Sequence, residues 1–265
     1  MEKLTAALIV KNEEKFIRQC LESLKWAGEI IILDGFSTDR TVEICREYTE
    51  KIFQRPFSGS FNEERQFLIS KAANDWVFMV DADMLVPPEA AEEIRAVLSS
   101  NDAAGYSAFN FRALTIYLGR PIRRCGWFDP EYTRLFNRKK GSYDTRLKYI
   151  DNFVPAGRTG VMKEHLIHYG FETVSEHITR VDRYTTLNAQ DLLIKGLRIT
   201  PVNALWYLFA KPAAVFIYKY FYRLGFLDGA QGFMVCSISS FVYLISYFKL
   251  WELGRAAGMP ARPGA

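Results

Sequence analysis

The stretch 76-WVFMVDADM-84 decides the fold. Trp76 to Val80 is a continuous apolar run, the pattern of a β-strand covered on both faces in a parallel sheet. It ends in two carboxylates, Asp81 and Asp83, with only Ala82 between them. A turn at Ala82 lets both carboxylates approach one hard cation, and the small side chain leaves room for a ligand. Oxygen ligands of this kind suit Mg²⁺ or Mn²⁺, which bind through one or two acids plus substrate phosphates. Such an ion would neutralise a leaving pyrophosphate-type group. A polar strand end followed by a turn is the alternative reading of the same residues.

Upstream, the same grammar repeats. Leu4–Val10 is strand-like and runs into 11-KNEE-14, after which Phe16, Ile17, Cys20, Leu21 and Leu24 recur at helical spacing. Glu29–Leu33 is a second buried strand, ending at Asp34. In 34-DGFSTDRTVEICREY-48 a Gly turn precedes Ser37 or Thr38 as helix N-cap. Lys51–Phe53 suggests a short third strand and Asn62–Ala73 a helix. Pro87 and Pro88 open the helix EAAEEIRAVL. This alternation predicts an α/β fold with a mainly parallel, Rossmann-like sheet, helices on both faces and right-handed crossovers. Ligands then sit outside the carboxyl ends of the strands. Three successive strand ends carry acids there: Asn12-Glu13-Glu14, Asp34, and Asp81 with Asp83.

Beyond residue 104 the rhythm changes. GYSAFNFRAL, YTRLFN and HLIHYGF read as strands, 119-GRPIRRCGWFDPE-131 as a basic connection, and Val174–Lys195 as a polar helix on which His177 reads as a surface residue. His165 and His168, three apart in a strand, face opposite sides.

The chain of 265 residues is about half hydrophobic, enough for one large domain or a domain plus an appendage. Residues 1–200 carry 28 basic and 28 acidic side chains; residues 201–265 carry 6 and 2, so the net charge of +4 resides in the most apolar quarter. A basic, aromatic, apolar extension suits an anionic membrane surface, and no nucleic-acid partner is expected. Gly229–Phe248 is uncharged and has the length of a spanning helix, but Gln231, Ser237, Ser239, Ser240 and Ser246 weaken that reading. Interfacial association, simple packing on the catalytic domain, and a true span all stay open. Cys20, Cys45, Cys125 and Cys236 show no zinc or disulfide spacing. MEKLTAALIVKNEE is too short in apolar residues for a signal peptide, so a cytoplasmic protein, peripheral on the inner face of the cell membrane, is expected.

KNEE, LDGFSTDRT, an Arg-bearing helix at Arg65 and DWVFMVDADM together resemble the family 2 glycosyltransferases of GT-A fold. CGWF, TRLF, HLIHYGF, FLDG and FKLWE are similar to one subgroup of these, the bacterial lipopolysaccharide-core glucosyltransferase-like enzymes. The resemblance implies a GT-A domain over 1–200, with a nucleotide-sugar half at 1–100 and an acceptor half at 101–200, followed by a helical membrane-associating extension over 201–265. It implies a UDP-sugar donor, a divalent cation (Mn or Mg), and inverting transfer of a hexose such as glucose to a lipopolysaccharide-core or other lipid-linked acceptor.

By the same resemblance Asp34 and Asp39 would hold the uracil and its loop, and Asn12 and Glu13 the nucleoside. Arg65 would face the diphosphate, Asp81 the donor sugar or ribose, and Asp83 the metal, with His168 as a further ligand or a satisfied structural histidine. Asp39 reads equally as a helix cap. Inverting transfer needs a carboxylate base, and the Val-His-Glu segment of many relatives is replaced here by 141-GSYDTRLKYIDNF-153. Asp129 and Glu131 are the nearest candidates by motif, followed by Asp144 and Asp151; each reads equally as a surface-loop acid. Trp127 could stack on a sugar ring, and Arg123 and Arg124 could meet acceptor phosphates, against the alternatives of core filling and a solvated loop. A metal-dependent nucleotidyltransferase would be expected to carry a glycine-rich basic loop after the first strand. A membrane-associated scaffold with a degenerate transferase fold would explain the missing triplet.

Overall fold

A computed structural model of the chain describes residues 3–128, 132–149 and 153–258. The chain divides into two units, one of residues 1–116, 127–145 and 151–170, the other of 117–126, 146–150 and 171–265.

Unit 1 is built from the alternating segments. β1 (Leu4–Val10), α1 (Ile17–Glu22), β2 (Glu29–Asp34), α2 (Thr41–Arg46), β3 (Ile52–Gln54), α3 (Phe61–Ser70) and β4 (Trp76–Met79) follow in order. β5 (Met84–Leu85) and α4 (Pro88–Ser99) come next. Then come β6 (Ala108–Tyr117), β7 (Arg120–Ile122, in unit 2), β8 (Tyr132–Asn137), β9 (Gly141–Tyr143), β10 (Phe153–Pro155) and β11 (Thr159–Phe171). The sheet order is β3-β2-β1-β4-β8-β6-β11-β5. The first four strands are parallel, as the apolar runs require. From β4 onward the pairings β4–β8, β8–β6 and β11–β5 are antiparallel. β1 and β2 are almost wholly buried, because α1 and α2 cover one face and α3 the other. Ser60 caps α3, its hydroxyl accepting from Glu63 N at 3.3 Å.

The expected cap of α2 is different. Arg40 occupies the N-cap, and its side chain makes no capping bond, donating instead to the Glu43 carboxylate. Ser37 and Thr38 instead join the two loops at the sheet edge: Ser37 Oγ donates to Asp34 Oδ1 at 2.6 Å, and Thr38 N donates to Asn12 Oδ1 at 2.8 Å.

Unit 2 contains α5 (Val174–Ile194), α6 (Pro201–Leu205), α7 (Lys211–Ile217) and α8 (Gly229–Gly258), with single π-helical turns at Trp206–Ala210 and Tyr218–Tyr222. α8 packs along α5 through Ala189, Tyr247 and Leu250. Lys249 Nζ clasps α5, donating to the Asp182 carboxylate (2.8 Å) and to the hydroxyls of Thr185 (2.9 Å) and Thr186 (2.7 Å). His177, expected at the surface, is buried: its ring stacks on Phe171 at 4.0 Å and its Nδ1 shares a hydrogen bond with the Tyr117 hydroxyl at 3.1 Å. Gly225–Arg255 is, among the described residues, the one helical segment long and apolar enough to cross a membrane by length and composition.

Candidate active site

β2, β1 and β4 are neighbours, so the loops that follow them leave the sheet on one edge. Asp34, fully buried, is gripped by its own loop and by β3: Ser37 N at 3.1 Å, Ser37 Oγ at 2.6 Å and Gln54 Nε2 of β3 at 2.8 Å. Ser37 N is shared between the two carboxylate oxygens, lying 3.2 Å from the second. Asn12 takes a left-handed backbone (φ 56°), as does the exposed Phe36 (φ 59°) two residues after Asp34. Non-glycine residues in this region concentrate at ligand sites.

Asp39 pins the first loop to the second, accepting from Glu14 N at 3.1 Å and Thr41 N at 3.0 Å. Burial works against its charge, but the bonds from Thr41 and Glu14 outweigh it and hold the carboxyl below its ordinary range. Glu13 is tied by its backbone, N to Thr41 Oγ1 at 2.7 Å.

The turn expected at Ala82 is present: Met84 N donates to Asp81 O at 3.0 Å. Asp81 and Asp83 then take different partners. Asp81 is held by Arg134 of β8, whose guanidinium lies 2.7 Å and 3.3 Å from the two carboxylate oxygens. Desolvation favours its neutral form, but Arg134, Arg65 and His168 together keep Asp81 below the usual carboxylate range. Asp83 is buried, with His168 Nε2 at 3.3 Å from Oδ1. β5 makes this meeting possible, since His168 pairs with Met84 in register and Tyr169 N donates to Asp83 O at 2.8 Å. Burial would lower the His168 imidazole; Asp83 and Asp81 overcome it, and its pKa is raised. Arg65 lies on α3 with its guanidinium 5.8 Å from the ring centroids of both Phe61 and Tyr143.

The structure therefore gathers Asn12, Glu13, Asp34, Asp39, Arg65, Asp81, Asp83 and His168 in unit 1. Trp127 also belongs to unit 1, whereas Arg123 and Arg124 belong to unit 2. Asp129 and Glu131 lie outside the described residues, as does Asp151. Asp144 is half-buried, and its carbonyl accepts from Asn62 Nδ2 at 3.1 Å. Arg134 and Phe36 were not anticipated. The signal for Arg134 was TRLF itself, an arginine inside an otherwise apolar strand, where an unpaired charge is costly.

The model of glycosyl transferase family 2 matches residues 5–167, and the chain belongs to that family. A GT-A sheet whose parallel half ends in this acid-lined edge is the catalytic scaffold of a glycosyltransferase, and the protein is an enzyme that transfers sugar. Among its relatives, an uncharacterized glycosyltransferase of Rickettsia felis is 28% identical over 95% of this chain and 90% of its own. The lipopolysaccharide core biosynthesis glycosyltransferase LpsC of Rhizobium meliloti is 26% identical over 94% and 92%. Residues 1–349 of S. aureus TarS, crystallised with UDP-GlcNAc, share the fold with a TM-score of 0.52 at 14% identity, over 98% of this chain and 93% of that one.

Proposed function

We propose that this glycosyltransferase moves a hexose from a UDP-sugar, with inversion, to a lipopolysaccharide-core or other lipid-linked acceptor, working at the inner face of the cell membrane through residues 201–265. The observation that carries this is the convergence of Asp34, Asp81 and Asp83 on one sheet edge, with Arg65, Arg134 and His168 around the last two. Positive groups beside ordered acids suit a nucleoside diphosphate. The relatedness to LpsC supports the class of acceptor.

A divalent cation fits this site. No group of three or more His, Cys, Asp or Glu side chains able to hold a metal forms among the described residues. Asp83 and His168 supply two ligands on a rigid strand pairing, and diphosphate oxygens and water would complete the shell of Mg²⁺ or Mn²⁺. When bound, the ion supplies charge neutralisation for the leaving diphosphate.

The chain's own residues do the rest. Asp34 accepts from the uracil ring, and Asp39 with Asn12 and Glu13 fixes the loops around the nucleoside. Arg134 holds Asp81 ionised against the donor sugar, while Arg65 faces the diphosphate. The acceptor hydroxyl oxygen forms the new bond to the anomeric carbon as the bond to the diphosphate oxygen breaks. The hydroxyl proton passes to a carboxylate, for which Asp129 and Glu131 are the candidates by motif. The test is a panel of UDP-sugars offered with lipopolysaccharide-core acceptors and scored by UDP release. Turnover of a UDP-hexose supports the proposal; no turnover and no binding of any nucleotide sugar refutes it and favours the scaffold reading.

A further inference from the structure

In unit 2, two segments far apart in sequence are fastened into one piece. The Asp228 carboxylate accepts the backbone N–H of Arg123 at 3.3 Å and of Arg124 at 2.8 Å. Cys125 N donates to Arg223 O at 3.1 Å, and Lys219 Nζ donates to Cys125 O at 3.2 Å. Cys125 and Leu224 both hold left-handed backbones, with φ 51° and 56°. At the start of α8 the fit leaves no slack, since a Cβ on Gly232 would lie 2.0 Å from Gly225 O.

Asp228 thus spends its charge on main-chain groups rather than on the arginine side chains. Arg120, Arg123 and Arg124 stay exposed. The turn they are tied to exposes apolar surface of its own: Phe221 (57%), Tyr222 (75%), Phe226 (44%) and Leu227 (58%). A cationic rim fixed to an aromatic and aliphatic tip is complementary to one surface in particular. Anionic phosphates attract the guanidinium groups, and the headgroup boundary accepts amphipathic rings.

α8 is also held in a way that argues against spanning. Lys249 ties it to Asp182, Thr185 and Thr186, and Ser246 Oγ accepts from Asn188 Nδ2 at 3.0 Å. A spanning α8 would draw the polar helix α5 into hydrocarbon, where its charged side chains are costly.

We propose that Arg120, Arg123 and Arg124, together with Phe221, Tyr222, Phe226 and Leu227, form a single patch that seats the enzyme on an anionic phospholipid bilayer without crossing it. This rests on the peripheral-membrane part of the function proposed above and sharpens it. The arginines meet lipid phosphates instead of the acceptor, and the contact includes β7 and the two residues after it as well as residues 201–265.

The experiment is co-sedimentation of the full-length chain with vesicles of phosphatidylcholine alone or mixed with phosphatidylglycerol. A basic side chain near an anionic surface contributes roughly fivefold in partitioning, so R120Q/R123Q/R124Q should bind the mixed vesicles roughly a hundredfold more weakly. Binding of the unaltered protein should fall with salt and be weak on phosphatidylcholine alone. A second variant, Y222Q/L227Q, removes exposed apolar surface and should also weaken binding while its thermal unfolding stays that of the folded protein.

Equal vesicle binding by the triple arginine variant overturns the proposal. So does binding of the arginine cluster to soluble phosphorylated core oligosaccharide with no vesicle binding, or a patch that only joins two copies of the chain. UDP titration of the unaltered protein is read separately. Absence of UDP binding there would refute the proposed UDP-sugar donor and leave the vesicle result standing.

Discussion

Acidification should weaken unit 2 through one residue, His177. Its imidazole is buried between Phe171 and Tyr117. Burial, reinforced by the nearby Arg180 charge, pushes its pKa down to about 4, whereas an unfolded histidine titrates near about 6.5. The folded protein therefore binds the proton less readily than the unfolded chain. The stability that depends on neutral His177 is complete above about pH 6.5 and is lost as pH falls toward 4. A gap of about 2.5 pH units corresponds to about 3 kcal/mol in full, most of which would be gone at pH 4.5. Carboxylates also titrate in this range, so the comparison is with His177→Gln, which keeps a partner for the Tyr117 hydroxyl but carries no titrating group. Urea unfolding, followed by near-ultraviolet circular dichroism between pH 7 and pH 4.5, should show the unaltered protein losing about 2 kcal/mol more than the variant. Parallel curves for the two proteins would refute the reasoning.

Two further perturbations probe the geometry. Arg134→Gln leaves Asp81 without its bidentate cation; with Arg134 nearly buried and Asp81 partly exposed, the cost lies between that of surface and buried pairs, about 1–3 kcal/mol. Arg134→Lys should recover only part of it, because an ammonium lacks the fork, and an unchanged melting temperature in Arg134→Gln would contradict the pairing. Gly232→Ala drives a methyl into the Gly225 carbonyl and should destabilise by about 1–3 kcal/mol in thermal unfolding; a neutral substitution would mean that α8 does not start hard against that turn.

The parallel half of the sheet was legible because its signals are local. An apolar run of four or five residues that stops at an acid marks a buried strand and its functional end in the same few letters, as in EIIILD and WVFMVD. The partner of Asp81 is not legible in the sequence, and His168 is placed with Asp83 only by the family resemblance. Arg134 reaches Asp81 because β8 runs antiparallel to β4, and His168 reaches Asp83 because β5 pairs with β11. Both are registers set by tertiary packing, separated from the acids by 53 and by 85 residues of chain. His177 was misjudged for a related reason. Its helix is polar in sequence, and only the approach of Tyr117 and Phe171 turns that position into an interior one. The Ser37 and Thr38 cap failed because stronger partners lay across the loop, in Asp34 and Asn12. FLDG, by contrast, was noticed only as part of a resemblance, and its Asp228 has a mechanical role: it binds the loop that carries CGWF.

The most direct test of the donor site is a calorimetric titration of UDP into the protein with and without Mn²⁺, repeated on Asp83→Asn. The account predicts binding strengthened by the cation in the unaltered protein, and loss of that strengthening in the variant. Metal-dependent binding that survives unchanged in Asp83→Asn would contradict it.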